Sequence, residues 1–421
     1  MRNFGPNWFA SVMGTGIVAT SAATLPYAAP ALRPFAVGVW LLAALTLAAV
    51  TAAFLTTRRP RPDHGATTTG RNEARFDRAI PIPGRSGTSR GRADRAPGGA
   101  GHRRTPGAEA DHATAQFYGA PPMALLTVGA GALLLGRDLL GTDLALTVDA
   151  VLWTLGTLLG LVSAVAVPYR MMSRPGQSPE PASPTWLLPV VAPMVSASTG
   201  ALLVPHLPAG QPRLDLLLAC YALFGVSLLA TLVILPQVWA RLVRQPLAVA
   251  AVPTLWIVLG PLGQSVTAVN LLGDAARTAV DGPTAGALQM FGLVYGVPVL
   301  GFALLWIAVA GLLTARAARG GLPFTMTWWS FTFPVGTCVT AATGLAHRTG
   351  SQAFAVLAVA LFAVLVTAWA TVATRTVHSL VTGGPVAAPH PAATSATTGR
   401  PSVDGESAHP DADARLALAR R

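Results

Sequence analysis

The sequence predicts an all-α polytopic membrane protein with ten transmembrane helices arranged as five helical hairpins. Two observations on composition and one on spacing lead to this fold class. Of 421 residues, 52% are hydrophobic and only 11% are charged, whereas soluble domains carry about 25% charged residues. Apolar stretches of about 20 residues, the length that crosses a bilayer as a helix, recur along the chain at a regular spacing. A water-soluble globule is therefore excluded.

Ten apolar stretches are long enough to span a membrane. They lie at about 7–26, 35–56, 121–140, 146–168, 184–205, 213–236, 248–272, 285–314, 323–346 and 353–376. The segments after the even spans are rich in arginine, whereas those after the odd spans carry single arginines, most of them beside acids. Because positive loops stay in the cytoplasm, we expect a multi-pass plasma-membrane protein with both termini cytoplasmic.

The charge distribution divides the chain into a membrane domain and two polar segments. Residues 1–56 form the first hairpin, and residues 116–377 form hairpins two to five. Residues 57–115, rich in Arg, Gly, Pro and Thr, and the tail 378–421 cannot bury a core, so we expect both to be disordered and cytoplasmic. A patch for nucleic acid or anionic lipid is the alternative reading of 57–115. The positive-inside rule accounts for most of the net charge of +12, so no nucleic-acid partner is predicted.

The odd and even spans differ in content. Odd spans begin near 7, 121, 184, 248 and 323, about 60 residues apart once the insertion is removed, which is the period of a repeated hairpin. They hold most of the Pro, hydroxyl and amide residues, together with the Gly14-Thr15-Gly16 stretch. The bilayer tolerates Pro and Gly where protein or a wet cavity satisfies the backbone. We expect odd helices to form an inner ring around a central pore, with even helices facing lipid. Ordinary helix packing is the alternative.

The pore-lining candidates are the kinking and polar residues of the odd spans. They are Ser11, Gly14, Thr15, Gly16, Pro122, Pro193, Ser196, Pro261, Gln264, Ser265, Thr332, Pro334 and Thr337.

The type of residue in the spans favours passive passage of small anions. No Asp, Glu, Lys or Arg lies near the centre of any predicted span, so the proton relay of a pump is missing. Neutral hydroxyl and amide donors replace part of an anion's hydration without trapping it. A coupled carrier remains the second hypothesis, and a membrane enzyme or a scaffold is a remote one. No catalytic residue, metal site or cofactor is predicted.

The ninth span carries the candidate gate. Phe331 and Phe333 are two residues apart, so on a helix they point about 200° apart and only one can face a central axis. A Phe that projects into a narrow neutral pore blocks it by filling and dewetting the lumen. The alternative is that each ring packs against a neighbouring helix or lipid.

Five blocks, one in each odd span, resemble the tellurite-resistance/dicarboxylate transporter family, which includes plant slow-type anion channels, yeast malate carriers and sulfite pumps. The blocks are Asn7–Gly16, Phe117–Leu125, Leu188–Pro193, Trp256–Pro261 and Trp328–Pro334. The resemblance covers about 5–376 and does not extend to the insertion or the tail.

The resemblance implies ten helices in five hairpins around a central anion pathway, embedded in the lipid bilayer. It also implies a homotrimer with one pore per subunit and a gating Phe in the ninth helix. Phe333 best matches that position, with Phe331 as the second choice. Family members differ in substrate among malate and related dicarboxylates, sulfite, chloride and nitrate, so the anion stays open.

Overall fold

A computed structural model describes residues 5–27, 29–57, 115–173 and 181–382, and these fold into helices without any strand. The expectations for the insertion and tail fall outside the described residues over 58–114 and 383–421. Within the described ranges, ten helices have 16 or more residues. They are α1 (Phe9–Thr24), α2 (Leu32–Thr57), α3 (Ala120–Leu135), α4 (Thr142–Met172), α5 (Leu187–Leu203), α6 (Gln211–Arg244), α7 (Leu259–Ala276), α8 (Gly282–Arg319), α9 (Phe333–Thr349) and α10 (Gln352–Val381).

The lengths and compositions of these helices fit a polytopic membrane protein. Eight of the ten, with the 3₁₀ turns that precede some of them, are long and apolar enough to cross a membrane. The other two are α1 and α9, with 16 and 17 residues, and α9 ends in His347 and Arg348. The predicted fold class is confirmed, with ten long helices of which eight qualify as spans by length and composition.

Each odd helix begins with a 3₁₀ segment, which makes the hairpin repeat visible in the local structure. These segments are Pro6–Trp8, Phe117–Gly119, Pro184–Trp186, Val249–Val258 and Met326–Phe331. Several start on or contain Pro, which lacks the backbone N–H that an α-helical turn needs after its first residues. The predicted odd spans are therefore composites of a 3₁₀ turn and a shorter α-helix.

The odd helices form a closed inner ring. Helix α1 packs against α3 and α9, α3 packs against α5, and α7 packs against both α5 and α9. In α1, 14 of 16 residues are buried, and in α5 16 of 17 are. In the even helix α8 only 8 of 38 are buried. The predicted arrangement, with odd helices inside and even helices outside, is what the structure has.

The even helices brace the ring from outside. Each packs against its own hairpin partner and against the next odd helix, and α10 closes the circle on α1. Tryptophans reinforce three of these contacts with indole N–H hydrogen bonds to the next odd helix. They run from Trp40 to the Val128 carbonyl (3.0 Å), from Trp153 to the Ser196 carbonyl (2.9 Å) and from Trp369 to the Thr15 hydroxyl (3.1 Å). Satisfying the indole N–H in this way matters because hydrocarbon offers it no partner.

Candidate functional site

A cavity of about 690 Å³ lies inside the ring, towards the C-terminal ends of the odd helices. All five odd helices contribute to its wall. The uncharged polar residues that line it are Thr20, Thr24, Thr127, Ser198, Thr199, Gln264, Thr267, Asn270, Gln289, Thr340 and Thr343. Asp274, Arg277, His347 and Arg348 line it as well, all of them at the ends of α7 and α9. The wall is therefore uncharged along its depth, where polar and apolar side chains both line it, and charged at one end.

A second, much smaller cavity of about 20 Å³ lies among the N-terminal parts of the same helices. Its wall is almost wholly apolar, with Met13 from α1, Met123 from α3 and Val191 from α5 among its members. A space of this size is of the order of a single water molecule. The axis of the ring is thus wide and partly polar at one end and nearly closed and apolar at the other.

Phe333 stands between the two cavities. Among the residues that the structure describes, it alone lines both of them. It is the first residue of α9 and only 2% exposed. The preceding 3₁₀ segment ends at Phe331, and Pro334 follows within the first helical turn, where Pro is well tolerated. The break between the two helical segments fixes where the Phe333 ring lies on the axis.

Phe331 lies in a different environment. Its ring packs edge-on against Trp256, with centroids 5.6 Å apart, and against Trp328 at 5.7 Å. It lines neither of the two cavities. The two candidate gate residues therefore point to different places: Phe331 to an aromatic cluster, and Phe333 to the axis.

The Gly14-Thr15-Gly16 stretch makes contacts with three different helices. A Cβ at Gly14 would meet Thr332 and Trp329, just before α9, and a Cβ at Gly16 would meet Thr127 of α3. The Thr15 hydroxyl donates to the Ser11 carbonyl at 2.8 Å and accepts from Trp369 of α10. None of the three lines either cavity. The glycines allow α1 to approach its neighbours closely enough to complete the ring.

The other predicted lining residues divide in the same way. Gln264 lines the large cavity, and Pro334 lines the small one. The remaining hydroxyls donate to backbone carbonyls of their own or an adjacent helix. These bonds are Ser11 to Trp8, Ser196 to Ala192, Ser265 to Leu262, Thr332 to Trp329, and Thr337 to Leu259 and Pro334. Pro122, Pro193 and Pro261 are buried but line neither cavity.

Together with Gln264, which was predicted, the lining residues that were not predicted from the sequence follow helical stripes. In α7 the stripe is Gln264, Thr267, Asn270 and Asp274, and in α9 it is Thr340, Thr343 and His347. Spacings of three and four keep residues on one face of a helix. The sequence contains these stripes, but it does not show which polar stripe of a helix lines the cavity. That becomes clear only once one residue of the stripe is known to face the cavity.

Arg348 is the most firmly held charged group at the cavity wall. Its Nε donates to Asn270 Oδ1 at 2.8 Å, and its Nη2 donates to the Asn270 carbonyl and to Asp274 Oδ1, both at 2.9 Å. The Arg348 side chain is 13% exposed, whereas that of Asp274 is 61% exposed. Three hydrogen bonds to α7 thus fix the guanidinium at the charged end of the cavity.

One acidic side chain lies deeper in the helices than the sequence analysis took into account. Asp149 is the eighth residue of α4, is fully buried, and faces Gly129 of α3. Neither carboxylate oxygen has a hydrogen-bond partner within the described part of the chain. Intramembrane carboxyls are expensive to bury and mark functional sites by default, so Asp149 is a second group of interest.

Together, a closed ring of buried helices, a polar axial cavity and an outer layer of apolar helices define a polytopic membrane protein with the architecture of a channel or carrier. A family model of voltage-dependent anion channels matches residues 3–64 and 101–377, and the chain belongs to this family.

Relatives with curated descriptions extend the similarity over most of the chain. The sulfite efflux pumps of Arthroderma otae and Trichophyton rubrum are each 27% identical to it over 389 residues, which is 91% of this chain and 92% of each relative. An uncharacterized transporter of Methanocaldococcus jannaschii is 25% identical over 342 residues, covering 80% of this chain and 82% of the relative. These relatives are all described as transporters or pumps.

Proposed function

We propose that this protein passes small anions across a membrane along the axis of the odd-helix ring, with Phe333 as the closing residue. The observation that carries the proposal is the position of Phe333 as the one described residue common to the wide and the narrow cavity. A buried aromatic ring between the two cavities fills the lumen and excludes water. Opening then requires the ring to turn aside or the helices to part.

The proposed substrates are small oxyanions, with sulfite as the first to test. Support comes from the anion-channel family and from the sulfite efflux pumps among the relatives. The uncharged polar groups of the cavity wall, among them the side-chain amides of Gln264 and Asn270, can donate hydrogen bonds that replace part of an anion's hydration. Malate and other dicarboxylates, chloride and nitrate are the alternatives. Transport without enzymatic chemistry and without a cofactor is the expected mode.

The proposed topology places both termini in the cytoplasm of a plasma-membrane protein, with α1 and α9 crossing the bilayer as members of the ring. Arginines after the even helices, such as Arg241 and Arg244 at the end of α6, support this orientation. The wide cavity then opens away from the cytoplasm. We also propose a homotrimer with one pore per subunit, and cytoplasmic segments at 57–115 and 378–421.

The gate is tested by anion flux into proteoliposomes, without proton or sodium gradients, for wild type, Phe333→Ala and Phe331→Ala. Phe331 is the matched control because it has the same side chain, lies two residues away and lines neither cavity. We expect Phe333→Ala to raise passive flux several-fold and Phe331→Ala to leave it near wild type. Equal flux through the two variants would show that Phe333 is not the gating residue.

Proton-coupled transport of sulfite or dicarboxylate is the second candidate, and the buried, unpartnered carboxyl of Asp149 favours it. Under this alternative, wild-type flux depends on a pH gradient, and Asp149→Asn abolishes that dependence while flux down the anion gradient persists. Under the channel proposal, the same substitution leaves flux unchanged with or without the gradient. Comparing the two proteins at zero and at one unit of imposed pH difference separates the candidates.

A further inference from the structure

Arg348 lines the axial cavity and has unused hydrogen-bonding capacity. A guanidinium offers five N–H donors, and the contacts to Asn270 and Asp274 engage the one on Nε and the two on Nη2. No residue in the described part of the chain accepts from Nη1. Since Arg348 lines the cavity and its Nε and Nη2 donors are engaged, the two donors on Nη1 are the ones left for an anion.

The surroundings keep this guanidinium in place before any ligand arrives. Both Asn270 contacts lie within α7, and the Asn270 amide is itself anchored by a hydrogen bond from Nδ2 to the Val266 carbonyl at 2.9 Å. A side chain that is already ordered loses little conformational freedom on binding, which favours affinity. The Arg348 site is therefore preorganised on its α7 side and open on its cavity side.

Asp274 accepts a hydrogen bond from Nη2 of Arg348, which together with Nη1 forms the two-pronged edge, or fork, of the guanidinium. Its carboxylate takes one N–H of Nη2, but its side chain is 61% exposed, whereas that of Arg348 is 13% exposed. An exposed carboxylate can exchange with water or with another anion at little expense, because exposed ion pairs contribute only about 0–1 kcal/mol. The same fork suits any planar or pyramidal oxyanion with two oxygens on one atom.

The balance of charge at this end of the cavity favours an anion. Arg277 and Arg348 both line it, whereas Asp274 is the one carboxylate on its wall within the described residues. Arg348 is bonded to Asn270, and the next side-chain amide of α7 that lines the cavity is Gln264. It lies six residues before Asn270, or about 9 Å along the helix. An anion at Arg348 thus lies about two helical turns from the level of Gln264, on the way to Phe333.

We propose that Arg348 is the capture site for an oxyanion substrate such as sulfite or a carboxylate, and that the Asp274 carboxylate is a built-in competitor that the substrate displaces from the fork. Return of Asp274 to Nη2 then helps to release the anion, so that a fixed cation does not trap its ligand. The site prefers oxyanions to chloride, because two oxygens match the two parallel N–H bonds of the guanidinium, whereas a halide has only one atom to share between them. This inference rests on the proposed anion transport.

Binding to the purified full-length chain in nanodiscs tests the site without relying on transport. Calorimetric titration with sodium sulfite, and separately with sodium chloride at matched ionic strength, compares wild type, Asp274→Asn, Arg348→Gln and Asp281→Asn. Asp281 is the matched control, since it is an exposed acid seven residues beyond Asp274 that does not line the cavity. We expect Asp274→Asn to tighten sulfite binding about five- to tenfold and Arg348→Gln to weaken it at least tenfold. Asp281→Asn should match wild type, and chloride should respond weakly to all three substitutions.

The inference is overturned if Asp274→Asn binds sulfite as Asp281→Asn does, or if neither wild type nor Asp274→Asn binds it. Should Arg348→Gln fail to fold, the comparison of the two aspartate variants still decides. Flux assays on the same proteins keep the two proposals apart. If the wild type transports anions but the substitutions leave binding unaltered, the capture site is wrong and the proposed transport stands. If the substitutions alter binding but the wild type shows no anion flux, the proposed transport is wrong and the binding site stands.

Discussion

The indole N–H of Trp369 in α10 donates a hydrogen bond to the hydroxyl oxygen of Thr15 in α1, across 3.1 Å and 354 positions of sequence. Thr15 gives its own hydrogen to the Ser11 carbonyl, so its oxygen is free to accept. The bond joins the last helix to the first. It therefore closes the circle of hairpins at the point where the chain itself does not connect them.

Removing the hydrogen bond between Trp369 and Thr15 should lower the stability of the ring without creating a cavity in its core. We expect Trp369→Phe to lower the free energy of unfolding by about 0.5–1.5 kcal/mol, the usual net contribution of one hydrogen bond. Thr15→Val removes the acceptor and gives a similar loss. In the double variant the two losses should not add, because both single changes delete the same bond. Reversible denaturation in mixed detergent measures all four proteins, and full additivity would show that the bond contributes nothing.

Gly16 should tolerate no side chain unless its neighbour becomes smaller. A Cβ at this position would lie 2.6 Å from Cγ2 of Thr127. We expect Gly16→Ala to destabilise the protein by about 1–3 kcal/mol, the usual range for overpacking. Adding Thr127→Ser should restore much of the loss, because serine lacks that methyl group and keeps the hydroxyl that bonds the Met123 carbonyl.

The control for this pair is Gly38→Ala in the outer helix α2, where a Cβ meets nothing within 4 Å. Here alanine should be neutral or slightly stabilising, since it is the better helix former. Thermal unfolding followed by loss of monodisperse protein gives the ranking. A Gly16→Ala variant as stable as Gly38→Ala would contradict the close approach of α1 and α3.

Phe333 should contribute less to stability than a side chain of the solid core. Its ring borders a cavity on both sides, so removing it breaks fewer contacts than removing a fully packed residue. We expect Phe333→Ala to destabilise by less than about 3 kcal/mol, the lower end for a core Phe. Leu345→Ala, at a site with 0% exposure in the same helix, should fall within about 2–5 kcal/mol. Chemical denaturation of both variants provides the comparison, and a larger loss for Phe333 would argue that it is a packing residue.

Asp281, the N-cap residue of α8, should make the stability of the protein depend on pH. The Asp281 carboxylate accepts from the backbone N–H of Thr284 at 3.4 Å. A hydrogen bond from the Thr284 side chain is the main cause that lowers the pKa of Asp281. A lowered pKa in the folded state means that the contribution is present above the ordinary value of about 3.9 and is lost as the pH falls.

The difference in melting temperature between wild type and Asp281→Ala should therefore be largest at pH 7 and should shrink as the pH falls below the ordinary pKa of about 3.9. Thr284→Val keeps the acid but removes the donating hydroxyl, so it should show a smaller difference with the same direction. A gap between wild type and Asp281→Ala that is constant over this range would rule out the ionised cap.

Much of the architecture was predictable because it depends on local properties of the sequence. The length of each apolar stretch predicts a span, and the concentration of Pro, hydroxyl and amide residues in every second span predicts the inner ring. The prediction of Phe333 as the axial residue came from the resemblance, and its position between the two cavities gives that prediction a geometric basis. The helix limits were less predictable, since α3 ends at Leu135 and the predicted third span extended to 140.

The cavity face of each odd helix was much less predictable. Thr15 and Ser196 have the same chemistry as Thr20 and Ser198, yet only the latter two line the cavity. Inside the ring both faces of an odd helix are buried, one by neighbouring helices and one by the axis, so burial produces no amphipathic pattern to read. A hydroxyl can also bond to its own helix wherever it faces, so its presence does not mark the wall.

By itself, the sequence determined that the chain is a membrane protein made of hairpins, with its kinked and polar helices inside. The hydropathy and residue types of a helix can be assessed from its own sequence, without knowing which helices it packs against. Only the tertiary structure decided that Phe333 separates two cavities and that Arg348 meets Asn270, 78 positions away. Such contacts depend on the rotation of each helix about its axis, which is set by close approaches such as that of Gly16 to Thr127 rather than by any one helix alone.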